Sequence, residues 1–156
     1  MSDRLDEIPR GVSFVSALGL AAFFFLALTM LFGSPGLALN AYIQLIHLGA
    51  LVLTFIAAIQ WGLGIAASSR GISIPAWWFP GTVFPIILAW LALALLSPGF
   101  KIFLLALGFV VVFVFDTISH NRGYAPTWYK GFRKFLTIGV LVSLLLALVA
   151  IRSTFS

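Results

Sequence analysis

Long uninterrupted apolar segments constrain this chain more than any other feature of its sequence. A helix needs about 20 apolar residues to cross the hydrocarbon core of a bilayer, and several segments approach that length. They are residues 12–32, 42–66, 79–96, 102–119 and 135–151. Because backbone groups in lipid must be hydrogen-bonded within their own segment, we expect each to be a helix. The sequence therefore predicts an all-α membrane protein, a bundle of about five transmembrane helices.

The composition agrees with a lipid environment and disfavours a soluble domain. Hydrophobic residues make up 62% of the chain, charged residues only 8%, and the mean hydropathy is +1.17. Soluble domains carry about 25% charged residues, so a water-facing surface cannot be built here. No polar stretch is long enough for a second domain, and we expect a single integral-membrane domain over residues 1–156. The first segment is longer than a signal-peptide core, which predicts a retained helix.

The positions of Lys and Arg predict how the helices are oriented. With five crossings, the N-terminus and the second and fourth connections lie on one side of the membrane. That side carries Arg4, Arg10, Arg70, Arg122, Lys130, Arg133 and Lys134, and the other side only Lys101 and Arg152. Basic residues accumulate on the cytoplasmic side, so we expect a cytoplasmic N-terminus and a C-terminus outside. The membrane would be the bacterial inner (plasma) membrane, or the mitochondrial inner membrane in a eukaryote.

The same distribution accounts for the formal net charge of +5 without a nucleic-acid partner. Basic residues at the ends of apolar segments are typical of membrane orientation, whereas nucleic-acid binding concentrates them in a patch or stripe. The expected partner is therefore the lipid bilayer, with other membrane subunits, a lipid or a quinone as further candidates.

Polar residues within the apolar segments are the candidates for function, because an ionisable group in lipid is costly. Counting 1.5 Å per residue places Asp116 towards the cytoplasmic end of its helix, with His120 one turn later on the same face. The candidate inner-leaflet cluster at this depth consists of Gln60, Trp61, Thr82, Asp116, His120 and Arg133. Two interpretations are open: a structural ion pair from Asp116 to Arg133 or Lys134, or a polar pocket that holds a headgroup, a quinone or a small solute.

The start of the fifth segment is rich in aromatic and basic residues. The group comprises Trp128, Tyr129, Lys130, Arg133 and Lys134. Aromatic rings favour headgroup depth, and basic side chains attract anionic headgroups. We therefore expect these residues to lie at the membrane interface, where simple anchoring is the favoured role.

Small residues recur every four positions in the second segment. They are Ala50, Thr54, Ala58, Gly62 and Ala66. Small side chains allow close helix approach in lipid, so this stripe predicts a helix-packing seam, formed either within the chain or with another subunit.

Catalytic and metal-binding chemistry has little support in the sequence. The chain has no cysteine and two histidines, which we expect near opposite membrane surfaces. These are too few ligands for a convincing metal site, and no serine lies in a triad-like arrangement. We expect no metal, no cofactor and no catalytic residues. An enzyme that uses Asp116 and His120 on a lipid-phase substrate is a third and weaker hypothesis.

Several strings taken in order resemble one family. They are Gly49-Ala50 with Gln60-Trp61-Gly62, then Phe84-Pro85 with Ala89-Trp90, and then Pro126-Thr127-Trp128-Tyr129 with Phe132-Arg133 and Leu136-Thr137. Together with Asp116 they resemble the DUF3429 family of transmembrane protein 69-like membrane proteins of unknown function, over roughly residues 40–140. The resemblance implies a multi-span helical protein and no particular activity. It singles out Trp61, Gly62, Pro85, Trp90, Asp116, Trp128, Tyr129, Arg133 and Thr137.

Two departures from the family pattern affect the candidate cluster. Gln60 stands where many members have His before Trp-Gly, and Phe132 precedes Arg133 where the family has Leu. An amide does not titrate, so proton transfer at Gln60 is not expected.

Two functions follow from these observations. The leading hypothesis is a non-enzymatic accessory, assembly or scaffold subunit of a larger membrane complex. The alternative is a lipid-, quinone- or small-solute-binding or transport module that uses the inner-leaflet cluster.

Overall fold

The structure is a computed structural model that describes residues 8–94 and 97–154 as a bundle of five helices. They are α1 (Arg10–Phe32), α2 (Pro35–Ser69), α3 (Trp78–Ala94), α4 (Pro98–Asn121) and α5 (Thr127–Thr154). No β-strand occurs within those ranges. Four of the helices are long and apolar enough to cross a membrane, and α3 is a shorter apolar helix of 17 residues. The predicted all-α membrane fold is therefore confirmed, while a fifth crossing by α3 and the orientation of the termini stay predictions.

The helix ends coincide with the turn residues of the sequence. Pro35 and Pro98 open α2 and α4, where a missing backbone N–H costs nothing. Gly71 and Gly123 follow the ends of α2 and α4 with φ angles of 78° and 71°, a left-handed conformation that suits glycine. The fifth helix begins at Thr127, ahead of the apolar segment that starts at residue 135, because the basic stretch forms its first turns.

The helices pack in chain order around the bundle, and α5 returns to α1. In addition α2 packs directly on α4 across the middle of the bundle. On one side of this contact lies α3, and on the other side lie α1 and α5. Glycines allow this central approach: Gly49 lies against Leu105, and Gly108 lies against Leu53. A side chain at either glycine would meet the facing leucine, so close contact between α2 and α4 depends on both.

The stripe of small residues predicted as a packing seam is not the packing face within this chain. Ala50 is buried and Thr54 is half-buried, but Ala58, Gly62 and Ala66 are exposed. A four-residue repeat advances by more than one 3.6-residue turn, so the stripe drifts around the helix. The inward face of α2 instead carries Gly49, Leu53, Ala57, Gln60, Gly64 and Ala67. Contact of the exposed part of the stripe with another subunit stays a prediction.

One end of the bundle is held together by Arg70, just after α2. Its Nη2 donates hydrogen bonds to the carbonyl oxygens of Gly123 and Tyr124, at 3.2 and 3.1 Å. The Tyr124 ring in turn packs edge-on against Trp78, with 5.1 Å between ring centroids. The connections that follow α2 and α4 therefore lie at one end, which we call the Arg70 end.

Candidate functional site

The Asp116 carboxylate lies near the Arg70 end of α4 and is fully buried between three helices. Arg133 Nε, from α5, donates to Asp116 Oδ2 at 2.9 Å. Gln60 Nε2, from α2, donates to Asp116 Oδ1 at 2.6 Å. Both carboxylate oxygens are thus occupied, one by a charged donor, which makes a buried carboxylate tolerable in an apolar bundle.

Gln60 extends this network at both its side chain and its backbone. Ser119 Oγ donates to Gln60 Oε1 at 2.7 Å, and Trp78 Nε1 donates to the backbone carbonyl of Gln60 at 3.2 Å. Ser119 is absent from the sequence-predicted cluster, although its position three residues after Asp116 places it on the same helix face. The four side chains Arg133, Asp116, Gln60 and Ser119 form a continuous series of hydrogen bonds, which we call the polar chain.

The remaining members of the predicted cluster do not join the polar chain in the described structure. The hydroxyl of Thr82 is buried and donates to the Phe79 carbonyl at 2.9 Å, within its own helix. Trp61 is exposed and packs on the Phe79 ring at 5.1 Å between centroids. His120 Nδ1 is buried and has no hydrogen-bond partner among the described residues. These residues were grouped because they were expected at the same depth in the membrane, but their side chains form no hydrogen bond with the polar chain among the described residues.

The residues predicted at the membrane interface lie on two different faces of α5, one exposed and one buried. Lys134 is exposed, and Trp128 and Lys130 are half-buried, as an interface position allows. Tyr129 and Arg133 are only 7% and 6% exposed, since they lie one turn apart on the inner face of the helix. Headgroup anchoring is thus the wrong assignment for Tyr129 and Arg133, whose side chains face the bundle.

A cavity of about 480 Å³ lies between α1, α2 and α5, with Phe109 of α4 in its wall. Most of the lining side chains are Val, Leu, Ile and Phe. Two of them, Val15 of α1 and Phe55 of α2, are 68% and 67% exposed. The cavity therefore opens sideways between α1 and α2, towards the surface that faces lipid in a membrane protein.

Four polar side chains interrupt this apolar wall: Ser16 of α1 and three residues of α5. Tyr129, Arg133 and Thr137 line the cavity at intervals of four residues on α5, and we call them the polar ladder. Tyr129 Oη, Arg133 Nη2 and Thr137 Oγ1 are buried and have no hydrogen-bond partner within residues 8–94 and 97–154. Tyr129 Oη faces the Asp116 carboxylate and interacts with it, in a geometry outside that of a regular hydrogen bond. Buried polar atoms are normally paired, so three unpaired atoms in one cavity wall call for an explanation.

Comparison with known proteins assigns the chain to a family. Residues 8–149, nearly the whole chain, match the family described as "Protein of unknown function (DUF3429)". The chain belongs to the DUF3429 family. No curated protein and no solved structure matches it. The family resemblance seen in the sequence is confirmed, and the likeness to transmembrane protein 69 stays a prediction.

The chemistry of this DUF3429 protein therefore has to be inferred from its own site. Arg133 belongs both to the polar chain and to the polar ladder. Its hydrogen bond to Asp116 therefore connects the lining of the cavity with the buried hydrogen-bond network. A guanidinium donates only, whereas the hydroxyls of Tyr129 and Thr137 donate or accept. Apolar walls with a few polar groups are typical of sites that bind small amphipathic molecules.

Proposed function

We propose that this multi-pass membrane protein binds an amphipathic molecule from the lipid phase in the cavity between α1, α2 and α5. The observation that carries the proposal is the polar ladder: three cavity-lining side chains on one face of α5, each with a buried polar atom that lacks a regular hydrogen bond. Each unpaired atom destabilises the empty protein by about 1–3 kcal/mol. A bound molecule whose polar end reaches these atoms removes that cost.

The route into the cavity supports a lipid-phase molecule. No side chain from Arg10 to Ala22 of α1 is buried, although Leu20 packs closely on Gly139 of α5. Gly19 lines the cavity, and a Cβ atom at that position would meet nothing within 4 Å. The space beside α1 is therefore open to an apolar tail, while the polar end lies against α5.

This proposal keeps the ligand class of the alternative from the sequence, a lipid, a quinone or a small solute, but places the site elsewhere. Of the inner-leaflet cluster named in that alternative, only Arg133 lines the cavity. The accessory, assembly or scaffold role stays a prediction. Exposed side chains such as Trp90 and Phe25 suit lipid and a protein partner equally well, so the outer surface does not favour that role.

Filling the cavity tests the proposal. Gly19→Leu places a side chain into the cavity without a clash at Cβ, and Gly62→Leu adds the same side chain at an exposed position of α2. After exchange into one synthetic detergent, native mass spectrometry counts the molecules that each full-length protein retains. We expect wild type and Gly62→Leu to retain the same adduct and Gly19→Leu to lose it.

Thermal unfolding of the three proteins shows whether each is folded. Retention of the same adduct by a folded Gly19→Leu protein, or no adduct in any of the three, contradicts the proposal.

A further inference from the structure

We infer that the polar end of the cavity ligand is an uncharged hydrogen-bond acceptor, the carbonyl oxygen of a quinone or of an acylglycerol, and not a carboxylate or a phosphate. The inference rests on the proposed function and narrows the class of molecule. Its basis is that the charge of the polar ladder is already balanced inside the protein.

Arg133 is the only charged residue among the described side chains that line the cavity. Its Nε lies 2.9 Å from Oδ2 of Asp116, and both side chains are buried. The pair is neutral as a unit, so an anionic ligand would add an uncompensated negative charge in a medium of low dielectric constant. The neighbouring Lys130 and Lys134 are half-buried and exposed, and neither lines the cavity.

The unpaired Nη2 atom of Arg133 requires an acceptor, and the two hydroxyls of the ladder are compatible with one. Nη2 of Arg133 can only donate, and the hydroxyls of Tyr129 and Thr137 are able to donate in the same direction. Successive members of the ladder are about 6 Å apart along the helix, so the ladder extends over about 12 Å. The three side chains line the cavity, but their unpaired atoms have almost no accessible surface. The inference therefore includes a rotation of these side chains towards the ligand when it binds. Quinones and acylglycerols carry carbonyl oxygens on an apolar molecule, and both therefore fit.

The experiment compares uncharged and charged probes with similar tails. Full-length protein in phosphatidylcholine nanodiscs is titrated with decylubiquinone, dioctanoylglycerol, decanoate or dodecyl phosphate, and the midpoint of thermal unfolding is followed, since a ligand of the native state raises it. Gly19→Leu protein, titrated in parallel, corrects for effects of each probe on the bilayer. We expect at least one uncharged probe to raise the midpoint of wild type only, and the two anions to have no such effect. The uncharged probe that acts identifies the source of the carbonyl.

Removal of single hydroxyls tests the role of the ladder. Thr137→Val should weaken binding of the active uncharged probe about fivefold, the loss expected for one net hydrogen bond. Tyr129→Phe should have a similar effect. Thr117→Val is the matched control, because its hydroxyl bonds to the Phe113 carbonyl at 3.0 Å and it does not line the cavity.

The outcomes separate this inference from the proposed function. Binding of decanoate or dodecyl phosphate that equals that of the uncharged probes and is lost in Gly19→Leu overturns the inference and leaves the cavity as a site. Unchanged probe affinity in Thr137→Val and Tyr129→Phe, or a retained adduct with no effect of either uncharged probe, also overturns it. Absence of both a retained adduct and any probe effect specific to wild type overturns the proposed function itself.

Discussion

Asp116 and Arg133 share a hydrogen bond of 2.9 Å, while another nitrogen of the same guanidinium, Nη2, is buried without a described partner beside the cavity. A structural ion pair and a polar pocket were alternatives at the level of sequence. The structure shows the ion pair, and Arg133 also lines the mostly apolar cavity between α1, α2 and α5. A change at Arg133 should therefore affect both the stability of the protein and the proposed ligand binding.

The buried ion pair should depend on both partners and not on the adjacent basic residue. Asp116→Asn or Arg133→Gln leaves one buried charge without its partner and should lower the unfolding free energy by about 3–5 kcal/mol. The double variant should cost less than the sum, since no unpaired charge remains. Lys134→Gln, at an exposed position, should change stability by less than about 0.5 kcal/mol. Denaturant titration in micelles measures all four proteins, and a loss in Lys134→Gln as large as that in Arg133→Gln would contradict the assignment.

Ser119 should stabilise the protein through Gln60. Ser119→Ala leaves Gln60 Oε1 without its donor and should cost about 1–3 kcal/mol. In a Gln60→Met background the acceptor is gone, so the same change should cost much less, and the two energies should not add. Ser143→Ala is the control, since that buried hydroxyl bonds only to the Val140 carbonyl of its own helix, at 2.7 Å. Additive losses in a double-mutant cycle would show that Ser119 acts independently of Gln60.

Two glycines of α2 should respond oppositely to alanine. A Cβ at Gly64 would lie 2.8 Å from Nε1 of the buried Trp78, whose N–H is held by the Gln60 carbonyl. Gly64→Ala should therefore destabilise the protein by about 1–3 kcal/mol. At Gly62 nothing lies within 4 Å, and alanine should be neutral or stabilise the helix by about 0.5–1 kcal/mol. Thermal unfolding of both variants gives the order, and the reverse order would indicate that the exposed stripe is the packing face after all.

Single cysteines in this cysteine-free chain test the topology. Ser34 and Ser97 are exposed residues in the first and third connections, and Ser69 is the exposed last residue of α2. An impermeant maleimide applied to intact cells should label Ser34→Cys and Ser97→Cys, while Ser69→Cys should react only after permeabilisation. Labelling of Ser34→Cys and Ser69→Cys in the opposite pattern would reverse the predicted orientation. Labelling of Ser97→Cys together with Ser69→Cys would show that α3 does not cross the membrane.

Apolar length, turn residues and one buried charge were enough to predict the helices and the neighbourhood of the site. Segments near 20 residues leave a chain in lipid no alternative to helices, and Pro35, Pro98, Gly71 and Gly123 mark ends through their backbone restrictions. Asp116 stood out because a carboxylate in an apolar segment needs a partner, and Arg133 was one of two candidates.

The inward face of each helix was decided by packing in three dimensions. In water, the apolar face of a helix turns inward, but in lipid both faces are apolar, so hydropathy carries no information on rotation about the helix axis. Hydropathy therefore did not show that Ala58, Gly62 and Ala66 of α2 face outward, or that Tyr129 lies inside the bundle. For the same reason it gave no sign of the hydrogen bond from Ser119 to Gln60. The cavity also depends on the rotation of each helix about its axis. That rotation places the polar ladder of α5 and Gly19 of α1 in the lining of one cavity, together with apolar side chains.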